Sequence, residues 1–465
     1  MLILPALVTL LSYLYWRPHQ IWSVFTPLTI NVAVALAAFA YALDWRTGNV
    51  RPRGSALLAL LTTFSIWCLI TVGIKAPDRM NEMVVKIATA FLALLFISEG
   101  LQSLRAVKAV AGLLLGFTVA LGVVGVQQGT APSSCYLRSE PGVEEDAGDQ
   151  AGPGLGKEGF DGRSCTERAE CYQGGVPGAE YGCEHPGWLG THSIFGRIRY
   201  RGILEDPNEL SWALAMGIPF GFAFYEAKRS RLRLALLIAS LAFVAASVIL
   251  TQSRSGQLSL LAVLGVYFIR RYRWRGVAAA VVLGLPVLLL GGRSGEDAAS
   301  SSEERLGCWS EALNMFRENP LTGVGAGQFT EHHFLTAHSS FLLTLAELGP
   351  IGFVLWTSAV YFAVKVTVRV QIDLAERAGA EAARSWSMAL LASLAGLIVS
   401  AAFLSIAYHP ILWIFLGLTA ALYAAVRRHA PDFRVRFGAR DLALVCSLDT
   451  AFVVAVALYL RLKGI

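Results

Sequence analysis

Apolar residues in this chain fall in long blocks, and that arrangement leaves few folds open. Blocks lie near 1–16, 21–44, 55–75, 83–99, 106–127, 209–226, 234–252, 257–269, 276–292, 340–366, 385–404, 410–426 and 442–460. Most are long enough to cross the hydrocarbon of a bilayer. Backbone polar groups find no partner in lipid, so such blocks must satisfy their own hydrogen bonds as helices. With 55% hydrophobic and 15% charged residues, the chain lies outside the range of soluble domains. The expected fold is an all-α polytopic membrane protein with about 11–13 transmembrane helices and two long external loops. The first block has no A-x-A cleavage site and runs at once into the second, which predicts a retained helix and not a removed signal peptide.

Six basic clusters set the orientation. They are Arg46, Arg51 and Arg53; Arg105 and Lys108; Lys228, Arg229, Arg231 and Arg233; Arg270, Arg271, Arg273 and Arg275; Arg369, Arg377 and Arg384; and Arg427, Arg428, Arg434, Arg436 and Arg440. Thirteen spans with a cytoplasmic N-terminus place every cluster on the cytoplasmic side. The net charge of +6 then reflects topology, and no nucleic-acid surface is expected. The predicted organisation is 1–127 with about five spans, an external loop at 128–208, 209–292 with about four spans, a second external loop at 293–338, and 339–465 with about four spans.

The first loop is Gly-rich and acidic, with Glu140, Glu144, Glu145, Asp146, Asp149, Glu158, Asp161, Glu167 and Glu170. It carries four of the seven cysteines, Cys135, Cys165, Cys171 and Cys183. An even cysteine count in an exported loop favours two disulfides, whose pairing the spacing leaves open. A zinc site is the rival reading, weakened by the lack of a C-x₂-C pair. Cys68, Cys308 and Cys446 are dispersed and read as packing residues or free thiols.

No internal repeat or matched pair of broken helices appears, and no G-x-x-x-x-G-K-[ST] motif marks an ATP-driven step. Gly323-Val324-Gly325-Ala326-Gly327 follows Asn319-Pro320 with no strand before it, so it reads as a turn and not a dinucleotide fingerprint. Residues 303–317 have amphipathic spacing, with Leu306, Trp309, Leu313 and Phe316 on one side and Asn319-Pro320 as the stop.

Within this frame Arg254 is conspicuous, because Ser253-Arg254-Ser255-Gly256 falls at the outer boundary, where an arginine is costly without a partner. Lys86, Arg254, Arg305 and His338 all map to the outer face. Two guanidinium groups are suited to phosphate oxygens, and an imidazole titrating near 6.5 is suited to taking a hydroxyl proton. The plainer roles are snorkelling for Arg254 and Lys86, a surface ion pair with Glu303 or Glu304 for Arg305, and a helix-end residue for His338. Glu347 inside the tenth span reads as an interhelical hydrogen-bond partner.

Together these residues resemble the bacterial O-antigen ligase and O-antigen polymerase family. Thr251-Gln252-Ser253-Arg254-Ser255-Gly256 looks like its S-R-[SG]-G signature. Arg305-x₃-Trp309-x₂-Ala312-x₃-Phe316-x₂-Asn319-Pro320-Leu321-x-Gly323-x-Gly325 resembles its loop pattern. Ala337-His338-Ser339-x-Phe341-Leu342 followed by Glu347-Leu348-Gly349-x-Ile351-Gly352 is similar to its A-H-[NS]-x-[FY]-L…E-x-G-x-x-G element, and Gly202-x-Leu204-x-Asp206-Pro207-Asn208-x-Leu210 to a further stretch. The matches cover about 200–355 in order. The resemblance implies a metal-independent glycosyltransferase with no cofactor, in a bacterial inner membrane and with its site facing the periplasm. It would move a glycan from undecaprenyl diphosphate to a hydroxyl of lipid A–core, a protein or another glycan. In that scheme Arg254 and Arg305 hold the diphosphate, with Lys86 and Asn208 near it, and His338 is the general base. The alternatives are a polymerase joining lipid-linked repeats and a lipid-linked sugar transporter. The cysteine-bearing insertion at 128–200 is long for the family.

Overall fold

The computed structural model describes residues 2–139, 159–273, 275, 276, 278 and 296–464. All but residues 276 and 278 of the expected span at 276–292, and the acidic residues Glu140 to Glu158, lie outside the described residues. The major helices are α1 Ile3–Tyr15, α2 Ile30–Arg46, α3 Ala56–Lys75, α4 Met80–Gly100 and α5 Leu104–Thr130. After the first long connection come α6 Pro207–Ala227, α7 Arg231–Leu250 and α8 Arg254–Tyr272. Then follow α9 Glu296–Glu318, α10 Ser340–Asp373, α11 Glu381–Phe403, α12 Pro410–His429 and α13 Ala439–Leu462. Among the described residues, 8 helices are long and apolar enough to cross a membrane. The protein is an all-α polytopic membrane protein.

The second span is shorter than the block 21–44 suggests. Pro18 and Pro27 disfavour continuous helix before Ile30, and Pro18–Ile21 and Ser23–Phe25 form only short helical turns. At Ser103, Ser230 and Ser253 the helices begin two or three residues before their apolar blocks, and these serines, like Ser55 before α3, cap them through side-chain oxygens.

The basic loops meet at one end of the bundle. Arg428 donates to Gln102 (2.7 Å), and Gln102 donates to the Arg51 carbonyl (2.7 Å). Glu99 accepts the Arg53 amide at 2.7 Å. Arg377 pairs with Asp432, while Glu226 binds Arg270 and Ser385. These bonds tie connections after α2, α4, α6, α8, α10 and α12 into one layer.

The opposite end carries the first long connection as a small three-stranded antiparallel sheet in the order β2-β1-β3, with β1 Ser134–Ser139, β2 Gly159–Ser164 and β3 Glu180–Glu184. This is the one departure from an all-helical chain among the described residues. Two disulfides, Cys135–Cys171 and Cys165–Cys183, form its interior with Ala179 and Tyr181. The sulfurs of Cys135, Cys165 and Cys171 lie within 4.8 Å of one another, but each is consumed in a disulfide and offers no thiolate to a metal. So small an apolar interior cannot offset the entropy of ordering the module, and the bridges close loops of 36 and 18 residues. Reduction is expected to lower the module's local stability by about 2–4 kcal/mol per bridge. Hydrogen exchange at the β1 and β3 amides checks this, and unchanged protection in reductant would contradict it. Cys68 and Cys308 are buried, and Cys446 is partly exposed.

Candidate active site

Helix α10 breaks where its sequence requires. Gly349 adopts φ 65°, a left-handed value that glycine tolerates, and Pro350 follows it. The break frees the carbonyls of Ala346, Glu347 and Leu348. Val324 and Gly325 donate backbone N–H groups to the first two at 2.9 Å each, and the Trp67 indole donates to the third at 2.9 Å. The glycine run 323–327 thus stitches the loop after α9 into a helix break. Gly323 has φ 64°, and a Cβ there would collide with the Ala346–Glu347 backbone.

Glu347 completes this joint. Its buried carboxylate accepts from the amides of Gly327 (2.8 Å) and Phe329 (3.0 Å) and from the Tyr408 hydroxyl (2.7 Å). It therefore binds a loop and the 404–409 segment, a wider role than the interhelical bond its position suggests. Thr336 donates to Ser405 (2.8 Å), and Ser340 donates to the Leu404 carbonyl (2.6 Å). Lys75 and Arg79 anchor the same loop through Asn319 (2.7 Å) and Glu331 (2.9 Å).

Between these anchors stands His338. Its backbone is left-handed, φ 48°, a conformation that costs a non-glycine residue about 1–3 kcal/mol and collects at functional sites. Its Nδ1 is buried with no hydrogen-bond partner among the described residues. Burial, and next the charge of Arg305, hold its pKa below the usual 6.5, while Asp206 opposes them. His338, Arg305 and Asp206 therefore share one electrostatic neighbourhood, in which burial and Arg305 favour the neutral imidazole.

Arg305 lies on α9, which packs against α10 and α13. The buried stripe of that helix runs through Cys308, Ala312, Leu313 and Met315, with Leu306, Trp309 and Phe316 packed at its edge. That is a slight rotation from the expected face, and the helix starts at Glu296 instead of 303.

Arg254 is exposed at the first position of α8, behind the Ser253 cap. A cation there opposes the helix dipole at about 0.3–1 kcal/mol, a cost that an anion bound at the same end would remove. Gln252 just before it is also left-handed, φ 52°. Gly256 explains the last letter of the signature, since a Cβ there would overlap Ser211 of α6. The N-termini of α6 and α8 are therefore side by side. Arg197 ties them, donating to the Thr251 carbonyl (2.9 Å) and to Asn208 Oδ1 (3.1 Å). Asn208, expected near the diphosphate, has its side-chain oxygen engaged by this arginine, and Asp206 caps α6.

Lys86, on the second turn of α4, lines a cavity of about 330 Å³ with Leu14, Ile30, Asn31, Glu209, Tyr408 and His409. Its ammonium lies 5.7 Å from the Tyr408 ring centre and within electrostatic reach of Glu209. Sequence reasoning did not single out Arg197, Glu209 or Tyr408, and it named Asp206 only within the Gly202–Leu210 stretch. Asp206-Pro207 was a visible helix-start signal, whereas Arg197 and Tyr408 carried no local mark.

The fold is that of a polytopic helical membrane protein, and the imidazole of His338 lies within the electrostatic influence of the Arg305 guanidinium. Residues 237–357 match the family model described as O-antigen ligase. Over that stretch the chain is similar to the O-antigen ligase family, whose members are glycosyltransferases of the ligase and polymerase type. The match spans Arg254, Arg305, His338 and Glu347; Lys86, Asn208 and the cysteine module precede it. No curated protein gives a significant match.

Proposed function

We propose that the protein transfers a glycan from a polyprenyl diphosphate to a hydroxyl acceptor at the periplasmic face, in the manner of a ligase. The observation that carries this reading is His338, its backbone strained and its buried Nδ1 without a hydrogen-bond partner among the described residues, within the influence of Arg305 and Asp206. Such an imidazole accepts the proton of an attacking hydroxyl. The oxygen then bonds to the anomeric carbon as the bond from that carbon to the diphosphate breaks. The departing diphosphate carries the electron pair, and Arg254 with Arg305 stabilises its charge by charge-assisted hydrogen bonds. In this reading Lys86, and the cavity it lines with residues of α1, α2, α4, α6 and the 405–410 segment, serve the donor. The donor is already activated, so the protein's work is to position, deprotonate and stabilise charge.

Purified protein, undecaprenyl-diphosphate glycan and candidate acceptors, assayed with chelator, test the proposal. Product on a core lipid or protein is expected. A ladder of lengthening lipid-linked chains would assign a polymerase instead, and vesicle translocation without transfer a transporter.

A further inference from the structure

The disulfide module presents one aromatic ring that breaks local rules. Phe195 and Gly196 form the two-residue turn of a hairpin closed by reciprocal bonds between Ile194 and Arg197, at 2.9 and 3.0 Å. Both turn residues have positive φ, 52° and 71°, the type I′ geometry that favours Asn-Gly. A bulky residue is disfavoured there, and this one is also 64% exposed. Neither burial nor propensity accounts for it.

The conformation is nonetheless held firmly. Glu184, almost wholly buried, accepts from the Phe195 amide (2.9 Å), the Gly196 amide (3.3 Å), the Ser193 hydroxyl (2.6 Å) and Arg138 (2.7 Å). The Arg138 guanidinium sits 4.4 Å from the centre of the Phe195 ring. Two residues further on, Arg197 bonds to Asn208 and to the Thr251 carbonyl, so the hairpin is continuous with the N-termini that carry Asp206 and Arg254. A two-residue separation keeps the Phe195 Cα within about 8 Å of that of Arg197.

We infer that Phe195, backed by Arg138 and clamped by Glu184, is a stacking platform for a pyranose ring of a glycan at the site entrance. The inference rests on the glycan-transfer reading and gives the cysteine-bearing insertion a role in substrate recognition. A sugar ring offers a flat C–H face to an aromatic and hydroxyls to the polar rim. Cation contact on one face of the ring leaves the other for the ligand. An exposed aromatic held in a strained turn by a buried carboxylate is the sort of inconsistency expected at a functional position.

The test compares the full chain in lipid nanodiscs with Phe195→Asn, which supplies the residue the turn prefers, and Phe195→Trp. Saturation-transfer NMR is recorded with free maltoheptaose, a galactan fragment and a uronate-containing oligosaccharide. The parent and the Trp variant are expected to saturate ring C–H protons of at least one sugar, with the signal about five- to tenfold weaker for Asn. The unfolding midpoint of Phe195→Asn should equal or exceed the parent's, because backbone strain is relieved. In transfer assays the Asn variant should raise KM about tenfold for a long-glycan donor and leave a single-sugar donor unchanged. Saturation dependent on Phe195 in a protein that fails every transfer assay still supports the sugar platform and removes only the reaction. No saturation by the parent, equal saturation by parent and Asn variant, or a lower midpoint for the Asn variant overturns the inference. The first of these outcomes would assign the ring to the lipid headgroup layer.

Discussion

Replacing Arg305 or Arg254 with alanine is expected to lower the transfer rate by about 10²–10³-fold while expression and membrane insertion persist. The two residues reach this outcome from different elements. Arg305 acts across the His338 neighbourhood from a helix packed on α10, and Arg254 stands at an exposed helix N-terminus beside that of α6. If both hold the diphosphate, the double variant should lose little more than either single one, because groups that act as a unit are non-additive. Lysine at either position restores the charge but not the planar fork, so only part of the rate should return. Initial rates with purified variants of matched folding decide this. Near-normal turnover of either alanine variant would remove that residue from the site.

His338→Ala is expected to cost about 10²–10⁴-fold in turnover. The sign of the pH effect follows from its environment. Burial and Arg305 lower its pKa from 6.5, so the neutral base persists to lower pH than a free imidazole would. Activity should therefore be flat through neutrality and fall only as the pH drops through that lowered value. Arg305→Lys keeps the charge and should leave the acidic limb in place. Arg305→Ala removes a lowering influence and should move the limb of its residual activity upward. A pH–rate profile of kcat/KM for the parent and the three variants measures this, and an identical acidic limb in His338→Ala would dismiss the residue as the base.

The architecture was legible because lipid allows so little else. Hydropathy placed the helices to within about a turn, and the basic clusters anticipated the layer that Arg428, Gln102, Arg51, Arg377 and Asp432 form. The miss at α2 came from reading apolar content through two prolines. The S-R-S-G run pointed to Arg254, but the reason for its glycine lies in the contact with Ser211, which no single segment contains. Glu347 looked like a residue bonding a neighbouring helix; its true partners belong to a loop 18 to 20 residues earlier and a tyrosine 61 later. Arg197 was hidden for the same reason, since its role depends on two helix ends meeting in space. The cysteine count favoured disulfides over zinc, whereas the pairing depends on the folded module, where Cys135 and Cys183 face each other across β1 and β3 yet bond to Cys171 and Cys165.

The central claim is that one arginine from α8, one from α9 and the imidazole before α10 work in a shared compartment on a shared substrate. Single cysteines at 254, 305 and 338, with Cys446 replaced by serine, would be treated in intact cells with a membrane-impermeant maleimide. Labelling of all three from outside, slowed by added undecaprenyl-diphosphate glycan, is the predicted result. Reagent reaching one of them only after the inner membrane is opened would contradict the account.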